Sequence, residues 1–71
     1  MMIYRIELIG SYNKELIESI KHKQDKEELK ELYNELIIFR HCESYNIDRI
    51  DYVAAALTDN KINYKVNKIE G

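Results

Sequence analysis

Proline and tryptophan are absent from this sequence, and its 71 residues include only one cysteine and two glycines. A single cysteine excludes a disulfide within the chain, and an unpaired thiol is typical of a reducing compartment. We therefore expect a cytoplasmic protein. The glycines, Gly10 and Gly71, lie too far apart in the sequence to form a phosphate-binding loop.

The sequence also lacks a long apolar run and an excess of charge of either sign. No stretch reaches the roughly 18 apolar residues that predict a transmembrane helix, and no charged start with an apolar middle predicts a secretion signal. The net charge is −2, whereas proteins that bind nucleic acids usually carry a basic excess that neutralises phosphates. We therefore expect no membrane partner, and the charge argues against a nucleic-acid partner.

What the chain does have is a large share of apolar residues at regular spacing. Hydrophobic residues make up 45% of the chain, which favours a folded domain over a disordered one. A chain of this length buries only about 60% of the surface that its unfolded form exposes. Small domains of this kind are usually stabilised by disulfides, a metal or association with another chain. We expect one domain over residues 1–71 and a homodimer.

Alternating apolar and polar residues predict a β-strand at each end of the chain. The apolar positions are Met2, Tyr4, Ile6 and Leu8 near the start, and Ile62, Tyr64 and Val66 near the end. A period of two residues predicts a strand with one buried face. Gly10 is expected to end the first strand.

Between the two strands, the spacing predicts helices. Ser11 or Asn13 can cap the first helix. The segment 21–28 contains no apolar residue, and Asp25 with Glu28 fits a capping box for a new helix at residue 26. A single continuous helix over 13–43 stays open as the alternative, because no glycine or proline enforces the break.

The second predicted helix has the strongest amphipathic pattern. Its main apolar face is formed by Leu29, Leu32, Tyr33, Leu36 and Phe39. Further apolar residues in its second half fall on the opposite side: Ile37, Ile38, His41 and Tyr45. A helix that is apolar on two sides is expected to be covered on both. A third helix is predicted from an Asp48 cap to a left-handed stop at Asn60.

The order strand, helix, helix, helix, strand predicts a small α+β domain with a β-α-α-α-β arrangement. Its two-stranded sheet, formed by the N- and C-terminal strands, is expected to be covered by the helices. With three separate helices the strands run parallel, and with the first two helices fused they run antiparallel. In both cases the open edges of the sheet favour pairing with another chain.

The adjacent residues His41 and Cys42 are the best candidates for chemistry, as metal ligands or as a nucleophile with its base. Neighbouring helical residues point about 100° apart and do not face each other. His22 would lie roughly 20 Å from His41 if the chain turns near residue 24, and about 28 Å away on one continuous helix. We therefore expect Cys42 to be a small buried residue, and we expect no catalytic residue, no metal site and no cofactor.

We expect the partner-binding surface to combine the second apolar side of the middle helix with the corner before the third helix. Its predicted residues are Ile37, Ile38, His41, Tyr45, Ile47 and Tyr52. A charged flank of the middle helix is formed by Glu28, Glu31 and Glu35. Such charges can select a partner in a parallel coiled coil, but two heptads are too few to predict one, and an ordinary solvated helix is favoured.

These features favour a non-enzymatic protein–protein interaction module. The richness in Ile, Lys, Asn and Tyr is typical of AT-rich genomes and suggests a phage- or mobile-element-encoded accessory protein that binds and modulates a host protein. The alternative is a small transcriptional or nucleic-acid-binding accessory protein, with a helix-turn-helix-like segment in its second and third helices. A cysteine- or metal-dependent enzyme is the third class, which the placement of His22 and His41 disfavours.

Overall fold

A computed structural model describes residues 2–70 of the chain. Its elements follow in the order β1 Met2–Leu8, α1 Lys14–His22, α2 Glu27–Phe39, β2 His41–Ser44, α3 Ile47–Asp59 and β3 Tyr64–Glu70. The predicted α+β class and the break between the first two helices are confirmed. The predicted two-stranded sheet is wrong, because β2 adds a third strand between α2 and α3.

The sheet has the order β2-β1-β3, and both pairs of neighbouring strands are antiparallel. The expectation that three separate helices make the terminal strands parallel is wrong for a simple reason. Because β2 lies between α2 and α3, the chain reverses direction once more before it reaches β3. Ile6 of β1 lies opposite Cys42 of β2 and Val66 of β3.

The third strand begins where α2 ends. Arg40 adopts a left-handed conformation (φ 67°), and its N–H donates to the carbonyl of Leu36 at 3.0 Å. The carbonyl of Arg40 then accepts the N–H of Leu8 at 2.9 Å, which aligns the following residues with β1. His41, predicted at the end of the helix, therefore lies in β2, and Tyr45 lies just beyond that strand.

The starts of α1 and α3 are capped by asparagine side chains at or near the predicted caps. Asn13 caps α1, as one of the two predicted candidates, and Asn46 rather than Asp48 caps α3. The side-chain oxygen Oδ1 of Asn46 accepts the N–H of Asp48 at 2.9 Å, so Asp48 lies in the first turn instead. Asn60 ends α3 with φ −99°, and the left-handed residue is the next one, Lys61 (φ 59°).

The core lies between one face of the sheet and the three helices. It is formed by Ile6, Leu8, Ile17, Ile20, Leu29, Leu32, Tyr33, Leu36, Cys42, Ile50, Val53, Leu57 and Ile62. Because Leu29, Leu32 and Leu36 are buried within the chain itself, they do not form the seam of a parallel coiled coil between two copies. No helix in residues 2–70 has both the length and the apolar character needed to cross a membrane.

Candidate protein-binding surface

Cys42 lies fully buried in the core, as the sequence predicts. Burial raises the pKa of its thiol to about 12, and the carboxylates of Glu35 and Glu43 add smaller contributions in the same direction. The thiolate, which is the nucleophilic form, is therefore strongly disfavoured at neutral pH. His41 points to the opposite face of the sheet, because successive residues of a strand alternate between faces.

Within the part of the chain that the structure describes, no three His, Cys, Asp or Glu side chains are placed to hold a metal ion. His22 lies at the exposed end of α1, where its nearest charged neighbour is Glu18, 3.8 Å away on the same helix. His41 lies in β2 opposite Glu7. The two histidines therefore occupy different parts of the fold.

The predicted partner-binding residues do not form one surface. Ile37 and Ile38 line a groove of about 400 Å³ near the end of α2, together with Tyr12 and Arg40. The Arg40 guanidinium lies over the Tyr12 ring, 5.3 Å from its centroid. His41 lies beside the exposed Phe39, with 5.9 Å between the ring centroids. Tyr45 and Tyr52 line two other grooves, described below.

The remaining three predicted residues lie just before α3 (Tyr45), at its first position (Ile47) and in its first half (Tyr52), and we call them the tyrosine face. Their side chains are exposed to 64%, 40% and 69% of their full areas. The helical period explains why Tyr52 is exposed. Because α3 buries Ile50 and Val53 against the core, residue 52 points away from it.

The predicted glutamate flank of α2 forms one wall of a groove beside Tyr45, which we call the acidic groove. Its volume is about 210 Å³, and it is lined by Glu28, Glu31, Leu32, Glu35, Glu43, Ser44, Tyr45 and Arg49. Four of these residues are acidic and one is basic. The groove therefore has a negative potential next to an exposed aromatic ring.

Two of the four glutamates are held by contacts with other parts of the fold. Glu35 accepts the backbone N–H of Glu43 at 3.4 Å, and Glu43 accepts the Nε–H of Arg5 at 2.9 Å. Glu28 and Glu31 are exposed and form no ion pair with another residue in 2–70. These two carboxylates are free to pair with cations from outside.

Tyr52 lies in a second, neighbouring groove of about 200 Å³ beside Leu29 and Asp25. Leu29 directly follows Glu28 in α2, so the two exposed tyrosines flank the first half of that helix. Sequence reasoning found the tyrosines and three of the glutamates but missed Glu43 and Arg49. Their place in the groove depends on β2 and its pairing with β1, which no spacing in the sequence indicates.

The comparisons with known proteins add no family to this description. No protein-family model, no curated protein and no solved structure matches the chain.

Proposed function

We propose that this chain is a non-enzymatic protein-binding module whose tyrosine face and acidic groove bind a basic segment of another protein. The observation that carries the proposal is the joint exposure of Tyr45, Ile47 and Tyr52 around the start of α3. Tyr45 lies beside the acidic groove and Tyr52 lies in a groove beside Asp25, and exposed large apolar side chains rimmed by polar groups are typical of interaction sites.

The residue types on this surface match those that bind other proteins. Tyrosine is enriched in protein interfaces because it combines a large apolar ring with a hydroxyl group that can form hydrogen bonds. The free carboxylates of Glu28 and Glu31 supply attraction for Lys or Arg side chains and increase the rate of encounter with a basic partner. A segment with apolar residues for the tyrosines and basic residues for the groove fits both features.

The burial of Cys42 supports the non-enzymatic part of the proposal, because it removes the chain's only thiol from contact with a substrate. The helix-turn-helix alternative loses its structural basis. That motif joins its helices by a short turn of about 3–4 residues, whereas here β2 lies between α2 and α3. Because the composition is typical of AT-rich genomes, we also propose that the protein is encoded by a phage or mobile element and modulates a host protein.

Affinity capture with three baits tests the proposed surface. The baits are the unchanged protein, a Tyr45→Ala/Tyr52→Ala variant, and an Ile38→Ala/Phe39→Ala variant. The third is a matched control, because Ile38 and Phe39 are exposed to 60% and 59%, close to the values for the tyrosines. Quantitative mass spectrometry of the captured host proteins is the measurement.

We expect a protein with a basic surface segment that is retained by the unchanged bait and the control bait and is depleted at least tenfold on the tyrosine variant. Raising the salt concentration should also release it, because salt screens exposed charges. Equal capture by all three baits, or loss on the Ile38→Ala/Phe39→Ala bait alone, would contradict the proposed surface.

A further inference from the structure

Strand β3 forms one edge of the sheet, and its outer side has no neighbouring strand in residues 2–70. The other edge, β2, is only four residues long. It is also protected, because the Glu35 carboxylate accepts the backbone N–H of Glu43. β3 is seven residues long, and an unprotected edge of this length is a template for pairing with another strand.

The hydrogen bonds at the start of β3 show which of its backbone groups point outward. The Ile9 N–H donates to the Asn63 carbonyl at 3.0 Å, which makes these two residues a hydrogen-bonded pair. Hydrogen-bonded and non-hydrogen-bonded pairs alternate along an antiparallel ladder. With the observed register, the residues of β3 whose N–H and C=O groups point away from β1 are Tyr64, Val66, Lys68 and Glu70.

The side chains along this edge are incompletely covered. Helix α2 packs on β2, and α3 packs on β1 and β2, whereas the main neighbour of β3 is β1. Val66 is therefore 42% exposed although it lies on the helix side of the sheet, opposite Ile6. The charge of Lys65 is matched within the sheet, because its Nζ lies 3.6 Å from a carboxylate oxygen of Glu7.

We infer that the β3 edge pairs with β3 of a second copy of this chain, antiparallel and centred on Asn67, to form a continuous six-stranded sheet. In this register every residue of β3 has a partner. Across the interface the pairs are Tyr64 with Glu70, Lys65 with Ile69, Val66 with Lys68, and Asn67 with its own copy. No charged residue lies opposite a residue of the same charge, which would be destabilising.

A second copy fits this edge better than other occupants for two reasons. The pairing satisfies the outward backbone groups of both chains at once, and its two-fold symmetry closes the assembly as a dimer. The aliphatic stem of Lys68 from each copy also covers Val66 of the other. If the pairing were centred on residue 68 instead, the Lys68 side chains of the two copies would lie opposite each other. Repulsion between these like charges disfavours that register.

The interface consists mainly of one strand from each copy, and small interfaces of this kind bind weakly. We expect a dissociation constant in roughly the micromolar range, measured by sedimentation equilibrium. Lys68→Pro removes an N–H that points outward and is not bonded to β1, so the fold of the single chain should survive. Lys68→Thr is the matched control, because it removes the same charge and keeps the N–H.

The unchanged protein and Lys68→Thr should dimerise. The dissociation constant of Lys68→Pro should be at least tenfold higher, while its circular dichroism spectrum stays unchanged. A protein that stays monomeric at roughly 100 µM would overturn the inference. A dimer with equal affinity in Lys68→Pro would also overturn it, because the interface would then lie elsewhere.

A crosslinking experiment decides the question if Lys68→Pro fails to fold. In a Cys42→Ala background, Asn67→Cys places a thiol directly opposite its own copy in a non-hydrogen-bonded pair, where Cα atoms are about 4.5 Å apart. Lys65→Cys is the control, since it lies on the same face but opposite Ile69. Under mild oxidation, Asn67→Cys should form disulfide-linked dimers at least tenfold faster than Lys65→Cys. Equal rates would overturn the inferred pairing of β3 with its own copy.

Discussion

Cys42 carries the most nucleophilic type of side chain in the molecule, and the fold places it where that chemistry is suppressed. Its thiol lies in the core opposite Ile6, and burial raises its pKa to about 12. Tyr33, another core residue, also has its pKa raised to about 12, mainly by burial. At the residue scale, both groups therefore keep their protons at neutral pH and act as packing within the core.

These raised pKa values predict a loss of stability at alkaline pH. The unfolded thiol ionises near its ordinary pKa of 9.0, whereas the folded thiol keeps its proton up to about 12. A raised folded-state pKa gives a contribution that is fully present below the unfolded pKa and is lost as the pH rises toward the folded one. The free energy of unfolding should therefore fall between about pH 9 and pH 12.

The variant Cys42→Ala separates the thiol from Tyr33. At about pH 8 it should be less stable by about 1 kcal/mol, because it removes a buried atom. Between about pH 8 and pH 10.5 its free energy of unfolding should fall less than that of the unchanged protein. Urea denaturation at both pH values measures this. An equal fall in the free energy of unfolding of the two proteins would show that the thiol does not cause the loss of stability at alkaline pH.

The helix ends are the features of single elements that the sequence predicted least accurately. The side-chain oxygens of Asn13 and Asn46 accept hydrogen bonds from backbone N–H groups in the first turns of α1 and α3. α2 begins at Glu27, and its N-cap residue Lys26 forms no side-chain hydrogen bond with the first turn, so the predicted capping box at Asp25 is not formed. The predicted start at residue 26 nevertheless differs by only one residue from the observed start at Glu27.

This difference between the helices predicts opposite effects for two cap substitutions. Asn46→Ala should lower the free energy of unfolding by about 1 kcal/mol, because the N–H of Asp48 loses its acceptor. Lys26→Ser should raise it by about 0.5–1 kcal/mol, because α2 gains the acceptor that it lacks. Lys26→Ala is the control and should change little. Urea denaturation measures all three, and a destabilised Lys26→Ser would contradict the account of this helix end.

The element that sequence reasoning missed is β2, and the reason is physical. The four residues of β2 are too few to show a clear alternation. Helix ends in a left-handed conformation usually carry glycine, whereas here Arg40 adopts it. The apolar spacing of α2 therefore continued in the sequence beyond Phe39 without a signal to stop. The strand forms because the edge of β1 can bond it, which is a contact between residues distant in the sequence.

The missed strand β2 accounts for the main differences between the predicted and the observed molecule. β2 makes the terminal strands antiparallel, divides the predicted binding residues between separate places, and brings Glu43 beside the glutamate flank of α2. The periodic segments, and with them the α+β class and most of the core, could be predicted from sequence. The acidic groove could be predicted only in part, because three of its glutamates lie on one helix and the fourth comes from β2.

At this scale the molecule presents two surfaces on different elements. The tyrosine face is formed by two residues of α3 and by Tyr45, two residues before that helix, and the β3 edge belongs to the last strand. The tyrosine face contributes no residue to the proposed pairing of β3 strands, so the two proposals can fail independently. A dimer with both faces free would bind a partner with repeated basic segments more tightly than a single chain does.

The dissociation constant of the captured partner, purified and titrated into Tyr45→Ala/Tyr52→Ala, tests the central claim most directly. The claim is that this fold acts through the outer face around Tyr45, Ile47 and Tyr52. Loss of two exposed aromatic anchors at an interface should weaken binding at least about 30-fold, equal to about 2 kcal/mol. Titration calorimetry should show this while circular dichroism shows an unchanged fold. A variant that binds as tightly as the unchanged protein would contradict the account.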